Sequence, residues 1–202
     1  MTADPTPTRS PSFASPTSLS IDELDVIAPG AFAAAVAPLF EGARRFLGRL
    51  AMARPFGTAE AMFDQARVIA QAMPFDEQLE LIDAHPRLGA PPASVSALSY
   101  VEQGYPADAQ VDADVEAQRR RRADELDRLN AAYEARFGFR YCVFVAGRSR
   151  AELLPGLADA LEADRDAEIR RALDAVVDIA RARYATLTAP ASAGDAPREG
   201  PA

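Results

Sequence analysis

Helical periodicity with one exception constrains this chain more than any other feature. Between about residues 20 and 188, apolar side chains recur at three- and four-residue intervals, and Pro or Gly divides them into segments. Only Tyr141-Cys-Val-Phe-Val145 has the β-branched, aromatic character of a buried strand. A lone strand leaves peptide groups without hydrogen-bond partners, and no second segment of comparable character exists to pair with it. The sequence therefore reads as an all-α domain of about seven to nine helices, with 141–145 a short extended or helical piece inside it.

The helix boundaries follow from local chemistry. Ser20 with Glu23 forms a capping-box pattern that opens a short helix near Ile21 to Val26. Ala31 to about Phe40 and Gly42 to Ala53 read as the next two helices, and Pro55-Phe56-Gly57 breaks the chain. Thr58 caps a helix to about Met73, and Pro74 sits in the first turn of another, carrying Leu79, Leu81 and Ile82. That helix stops before His85-Pro86, because proline disfavours helical geometry in the residue before it. A long helix is expected from about Asp112 to Phe137, with Leu126, Leu129, Tyr133 and Phe137 on one stripe and Gly138 at its end. Ser149 with Glu152 opens a helix through Leu161. The last runs from about Ala167 to Thr186, with Ile169, Leu173, Val176, Val177 and Ala180 facing inward. Residues 1–19 and 189–202 are Pro-, Ser-, Thr- and Ala-rich with few large apolar groups, so both are expected to be disordered tails flanking one domain at 20–188.

Composition removes whole classes of chemistry. All 22 basic residues are arginine, so Schiff-base catalysis, pyridoxal-phosphate attachment and lysine-dependent phosphate loops are excluded. One cysteine and one histidine cannot build a disulfide or a structural zinc site of several such ligands. The net charge of −8 disfavours general nucleic-acid binding. No stretch has the ~18 apolar residues of a membrane span, and the N-terminus lacks the layout of a secretion signal. A cytoplasmic, reducing compartment is the expectation. The run Arg119 to Arg122 lies among Glu116, Asp124, Glu125 and Asp127, and reads as a salt-bridged, solvated helix face.

His85 is the one side chain whose ordinary pKa lies near neutrality, and it sits where an apolar helix meets a Pro/Gly-bearing turn, His85-Pro-Arg-Leu-Gly89. Downstream, Ser99, Glu102 and Gln103 stand at i, i+3 and i+4, so in a helix they share one face. A hydroxyl, a carboxylate and an amide together suit a polar, nitrogen-rich small molecule. An exposed polar helix face is the alternative reading.

The His85-Pro86 turn, the Ser-x-x-Glu-Gln pattern at 99–103, Leu129-Asn-Ala-Ala-Tyr133-Glu-Ala-Arg-Phe137-Gly-Phe139 and the apolar stretch Tyr141–Val145 come in the order and spacing of one enzyme family. With weaker echoes at Pro38-Leu-Phe-Glu-Gly42, Arg54-Pro-Phe56 and 172–183, the chain resembles 2-oxo-4-hydroxy-4-carboxy-5-ureidoimidazoline (OHCU) decarboxylase, an enzyme of urate breakdown. The resemblance spans about residues 21–188. It departs at Arg87 and Gly89, where many members read His-Pro-Asp-Leu-Ala-Gly, and at Arg140, where many carry proline.

The resemblance implies an all-helical fold, cofactor-free decarboxylation to (S)-allantoin, no metal and a homodimer. It implies His85 as the catalytic proton donor, with Glu102 and Arg183 also catalytic. Pro86, Ser99, Glu102 and Gln103 would bind substrate, and Tyr141, Cys142, Val143, Phe144 and Val145 would line it with their backbone. Arg181 is near enough to Arg183 to compete for its role; Arg140 or Arg148 could offer another guanidinium to the anion, but structural pairing with nearby carboxylates is the favoured reading for each. A different ureido or imidazoline acid as substrate, or a helical interaction module with no turnover, are the alternatives. The module requires His85, Glu102 and the arginine to be scattered.

Overall fold

The structure, a computed structural model, describes residues 19–104 and 113–189. The expected tails fall on residues that, apart from Leu19 and Ala189, lie outside this range. Among the described residues the secondary structure is helical, with no strand. Nine α-helices follow in order: α1 (Ile21–Val26), α2 (Pro29–Val36), α3 (Arg44–Met52), α4 (Ala59–Ala72), α5 (Phe75–Asp83), α6 (Ala97–Glu102), α7 (Ala113–Phe137), α8 (Arg150–Ala160) and α9 (Arg165–Thr188). Short 3-10 turns occupy Ala37–Phe40 and Pro92–Ser94.

Polar caps fix most starting points. The Ser20, Thr58 and Ser149 side chains accept from the backbone N–H of Glu23, Ala61 and Glu152, and Ser149 with Glu152 completes a full capping box. The final helix begins two residues earlier than its apolar periodicity suggests, because Asp164 accepts from the N–H groups of Asp166 and Ala167. The expected helix to Phe40 ends at Val36 and tightens into a 3-10 turn around Pro38. Proline there has no N–H to give the α-helical ladder.

Helix α9 is the axis of the molecule. It packs against α4, α5 and the 37–40 turn, while α7 packs on α8 and α2 on α3. Leu173, Val176 and Ala180 of α9 are fully buried with Phe32, Leu39, Phe40, Leu50, Met62, Leu81 and Ile82. The α7 stripe of Leu126, Leu129, Tyr133 and Phe137 is buried as expected. Tyr133 stacks edge-on to Phe139 and Tyr141 at centroid distances of 5.6 and 5.1 Å. On the outer surface of α7, Arg120, Arg121 and Arg122 are exposed and Arg119 half-buried. Arg128 pairs there with Glu125; the side chain of Glu116 lies outside the described residues.

The strand-like residues 141–145 cross between α7 and α8 in neither helix nor strand. Side chains take over the pairing that a sheet would have supplied. Arg171 Nη1 donates to the Cys142 carbonyl at 2.9 Å, and Arg148 donates to the carbonyls of Phe144 and Val145. Arg171 is held by Glu168, a fully buried carboxylate that also accepts from the Tyr133 hydroxyl at 2.6 Å. Burial and that carboxylate push the Tyr133 hydroxyl pKa well up.

Candidate functional site

Helix α5 delivers His85 into the interior. Its last turn closes with the His85 N–H donating to the Ile82 carbonyl, and Pro86 turns the chain away. The imidazole is 4% exposed. Nδ1 lies 3.2 Å from the Leu81 carbonyl, an acceptor only, so Nδ1 carries the proton. Nε2 is therefore an acceptor, buried and without a protein partner among the described residues. Burial, reinforced by the positive charge of Arg183, lowers the His85 pKa to about 4, with Glu41 and the Leu81 carbonyl opposing. The resting side chain is neutral.

Helix α6 faces it. Ser96 caps this helix by accepting from the Ser99 N–H. Ser99, Glu102 and the C-cap residue Gln103 share a face, as the spacing requires. Together with His85, Pro86, Leu88, Ile179, Arg183 and the stretch 141–147, they line one cavity of about 130 Å³. All the residues expected at the site lie around this single hollow.

Arg183 comes from the middle of α9, with 2% of its side chain exposed. Its Nε and Nη2 grip Glu102 bidentately at 2.7 and 2.8 Å. Nη2 also reaches Glu41 Oε1 at 2.8 Å and Ser99 Oγ at 2.9 Å, and Nη1 donates to the carbonyls of Pro38 and Leu39. Arg181 faces the surface, 51% exposed and 3.9 Å from Glu60.

The arrangement can hold a small polar molecule, offer it a carboxylate, and present an uncharged imidazole nitrogen as a proton acceptor. Among the described residues, no three His, Cys, Asp or Glu side chains converge as a metal site would require.

The OHCU decarboxylase family model matches residues 26–185. The chain belongs to the OHCU decarboxylase family. It is 28% identical over 168 residues to the uric acid degradation bifunctional protein PucL of Bacillus subtilis, covering 83% of this chain and 32% of that protein. It is 25% identical over 167 residues to the 2-oxo-4-hydroxy-4-carboxy-5-ureidoimidazoline decarboxylase of Haloferax volcanii, covering 83% of this chain and 95% of that protein. It thus spans about a third of the bifunctional relative and nearly all of the shorter one. A crystal structure of OHCU decarboxylase in the presence of (S)-allantoin superposes with a TM-score of 0.58 at 25% identity, covering 76% of this chain and 96% of that one. A crystal structure of (S)-allantoin synthase shares the fold, with a TM-score of 0.58 at 18% identity over 84% of this chain and 54% of that one.

Several side chains of this OHCU decarboxylase family member do work that their sequence positions do not announce. Gln103 turns inward to accept from the Gly89 N–H at 2.8 Å, tying α6 to the histidine turn. Ser99 donates to Glu41 at 2.7 Å while accepting from Arg183. Arg87 ties the turn to α7 through Glu134 and Asp127. Arg140 donates to the carbonyls of Asp83 and His85, and its own N–H reaches the Asp83 carboxylate. Arg140 and Arg148 thus serve backbone carbonyls, and neither lines the hollow. Cys142 lines it, buried, with burial pushing its thiol up to about 12; at neutral pH it is no nucleophile.

Glu41 and the pair Glu168–Arg171 are the residues that sequence reasoning passes over. Glu41 falls within the motif Pro38–Gly42, yet its partners lie 55, 58 and 142 positions away. Only the left-handed potential of Glu41-Gly42 hints at a special turn, with φ of 49° and 75° in the structure.

Proposed function

We propose that this chain, through one helical domain at 20–188, converts OHCU to (S)-allantoin and carbon dioxide without a cofactor. The observation that carries the reading is the shared hollow itself, lined both by a buried neutral imidazole whose Nε2 lacks a protein partner and by an arginine-clamped carboxylate. The names of the relatives support the same substrate.

The chemistry needs little from the protein beyond position and one proton. In OHCU the ring carbon bearing the hydroxyl and carboxylate adjoins the imine carbon bearing the ureido group. When the carbon–carboxylate bond breaks, its electron pair forms a double bond to that imine carbon, and the imine π pair moves onto nitrogen, which takes a proton from solvent, the one net proton the reaction consumes. The resulting enol then becomes a ketone: its hydroxyl loses a proton and the ureido-bearing carbon gains one. His85 Nε2 starts empty, so it takes the hydroxyl proton first and returns it to the carbon. The expected proton donor thus acts as a base before it is an acid. Delivery from one side gives one enantiomer.

Glu102 directs the hydroxyl and ureido end, and Ser99, Gln103, Pro86 and the backbone of Tyr141, Cys142, Val143, Phe144 and Val145 shape the cavity around it. Arg183 acts by fixing Glu102 rather than by holding the scissile carboxylate, since the protein already engages each of its nitrogens. This sparing arrangement has a physical merit, because an arginine gripping the departing carboxylate would stabilise the ground state. A homodimer, implied by the family resemblance, and a cytoplasmic location, favoured by the single thiol, complete the proposal. Light scattering of the purified chain tests the first.

The deciding experiment is circular dichroism of allantoin formed from freshly generated OHCU. Rapid growth of the (S)-allantoin signal is expected. Racemic product at the uncatalysed rate would overturn the assignment.

A further inference from the structure

Helix α6 and its C-cap carry three of the cavity's polar groups, yet among the described residues the helix sends no apolar side chain into the hydrophobic core. Its one buried residue is Ser99; Leu98 and Tyr100 are half-buried, and Val101 is 66% exposed. A helix normally stays in place by burying an apolar face. Here hydrogen bonds do much of that work. Two of those attachments come from the cavity lining itself: Arg183 on Ser99 and Glu102, and Gln103 on the Gly89 N–H.

Another comes from outside the lining. Glu41 does not line the cavity, and its side chain is 13% exposed. One of its carboxylate oxygens accepts from Ser96 Oγ at 2.8 Å, Ser99 Oγ at 2.7 Å and Arg183 Nη2 at 2.8 Å. Ser96 is the residue that caps α6, so the carboxylate grips the helix at its cap and again one turn later. The residue adopts a left-handed backbone, φ 49° and ψ 28°, which non-glycine residues rarely do and which tends to persist where the surroundings impose it.

We infer that Glu41 is a positioning residue for the decarboxylation, a latch that holds α6, and with it Ser99 and Glu102, in register with Arg183 and His85. This deepens the OHCU decarboxylase reading and rests on it. When only a fraction of molecules hold the competent arrangement, apparent affinity falls by that fraction while saturating substrate restores the rate. The loss therefore belongs in KM.

The test pairs steady-state kinetics on OHCU with amide hydrogen exchange of the full chain without ligand. Glu41→Ala is expected to raise KM at least tenfold and to lower kcat less than about threefold. Exchange at 97–103 should speed up at least tenfold, with α4 and α9 unchanged. Glu41→Gln, which keeps the size and loses the charge, should move both readouts the same way by less, and it serves if the alanine variant folds poorly. Unchanged α6 exchange in both variants would overturn the latch, as would a fall in kcat at constant KM. The exchange arm needs no substrate, so a wild-type chain inactive on OHCU would sink the substrate assignment and leave the latch to be judged on exchange alone.

Discussion

The two nitrogens of His85 stand in different states, one donating to the Leu81 carbonyl and the other buried with no protein partner among the described residues. Replacing His85 by alanine should lower kcat about 10²–10⁴-fold, the usual worth of a positioned acid–base group, without unfolding the chain; stopped-flow turnover and a thermal melt check both halves. Because the pKa is lowered to about 4, kcat/KM should stay level from pH 8 to about 5 and fall below that. A resting proton donor with an ordinary histidine pKa would instead lose activity above pH 6.5, so the pH profile discriminates between them. Glu102→Gln should weaken the grip of Arg183 and lower kcat/KM by at least tenfold in the same assay. His85 and Glu102 were legible as candidates because residue type and spacing mark them. The protonation of His85 and the partners of both were not, since these depend on Arg183 and Glu41, which are remote in sequence.

At the scale of elements, connections carry the precision and helices the bulk. Cap residues and apolar stripes in the sequence foretold every long helix to within a few residues, because both signals are local. The extended piece at 141–145 read as a strand by propensity, and only the want of a partner argued otherwise. What holds it, Arg171 and buried Glu168, sits a helix away. Removing one partner of a fully buried pair costs roughly 3–5 kcal/mol; Arg171 is 35% exposed and partly solvated when left alone, so Glu168→Ala should cost less than that, and still lower the melting temperature by several degrees, measured by calorimetry. Gly89 is a second such point. Its φ is +79°, strained for any residue with a Cβ, and a Cβ there would lie 2.6 Å from Leu126 Cδ2, so Gly89→Ala must displace Leu126 or the turn that presents His85. Reduced activity is expected in a variant that alters no cavity side chain, read by kcat at matched folded fraction.

At the scale of the whole molecule, acid is the condition to which this fold is most exposed. An unfolded His85 takes up its proton near pH 6.5 and the folded one near 4. The unfolded state therefore binds more protons in that window, and stability drops as pH falls through it while staying flat above. The contribution is on the order of 3 kcal/mol. Glu41, whose carboxyl is also held below its usual range by Ser99 and Arg183 against its burial, adds to the loss below about pH 4.5. Urea melts from pH 7 to 4.5 should show falling midpoints, and His85→Asn should flatten the slope above pH 5. One further consequence concerns α6. Urea denatures in proportion to the surface that an opening exposes, and partial openings can precede global unfolding. A wall that hides so little hydrocarbon should therefore open in a way that urea scarcely drives. Amide exchange at 97–103 should stay nearly level as urea is raised below the unfolding midpoint, while exchange in α4 and α9 climbs with it.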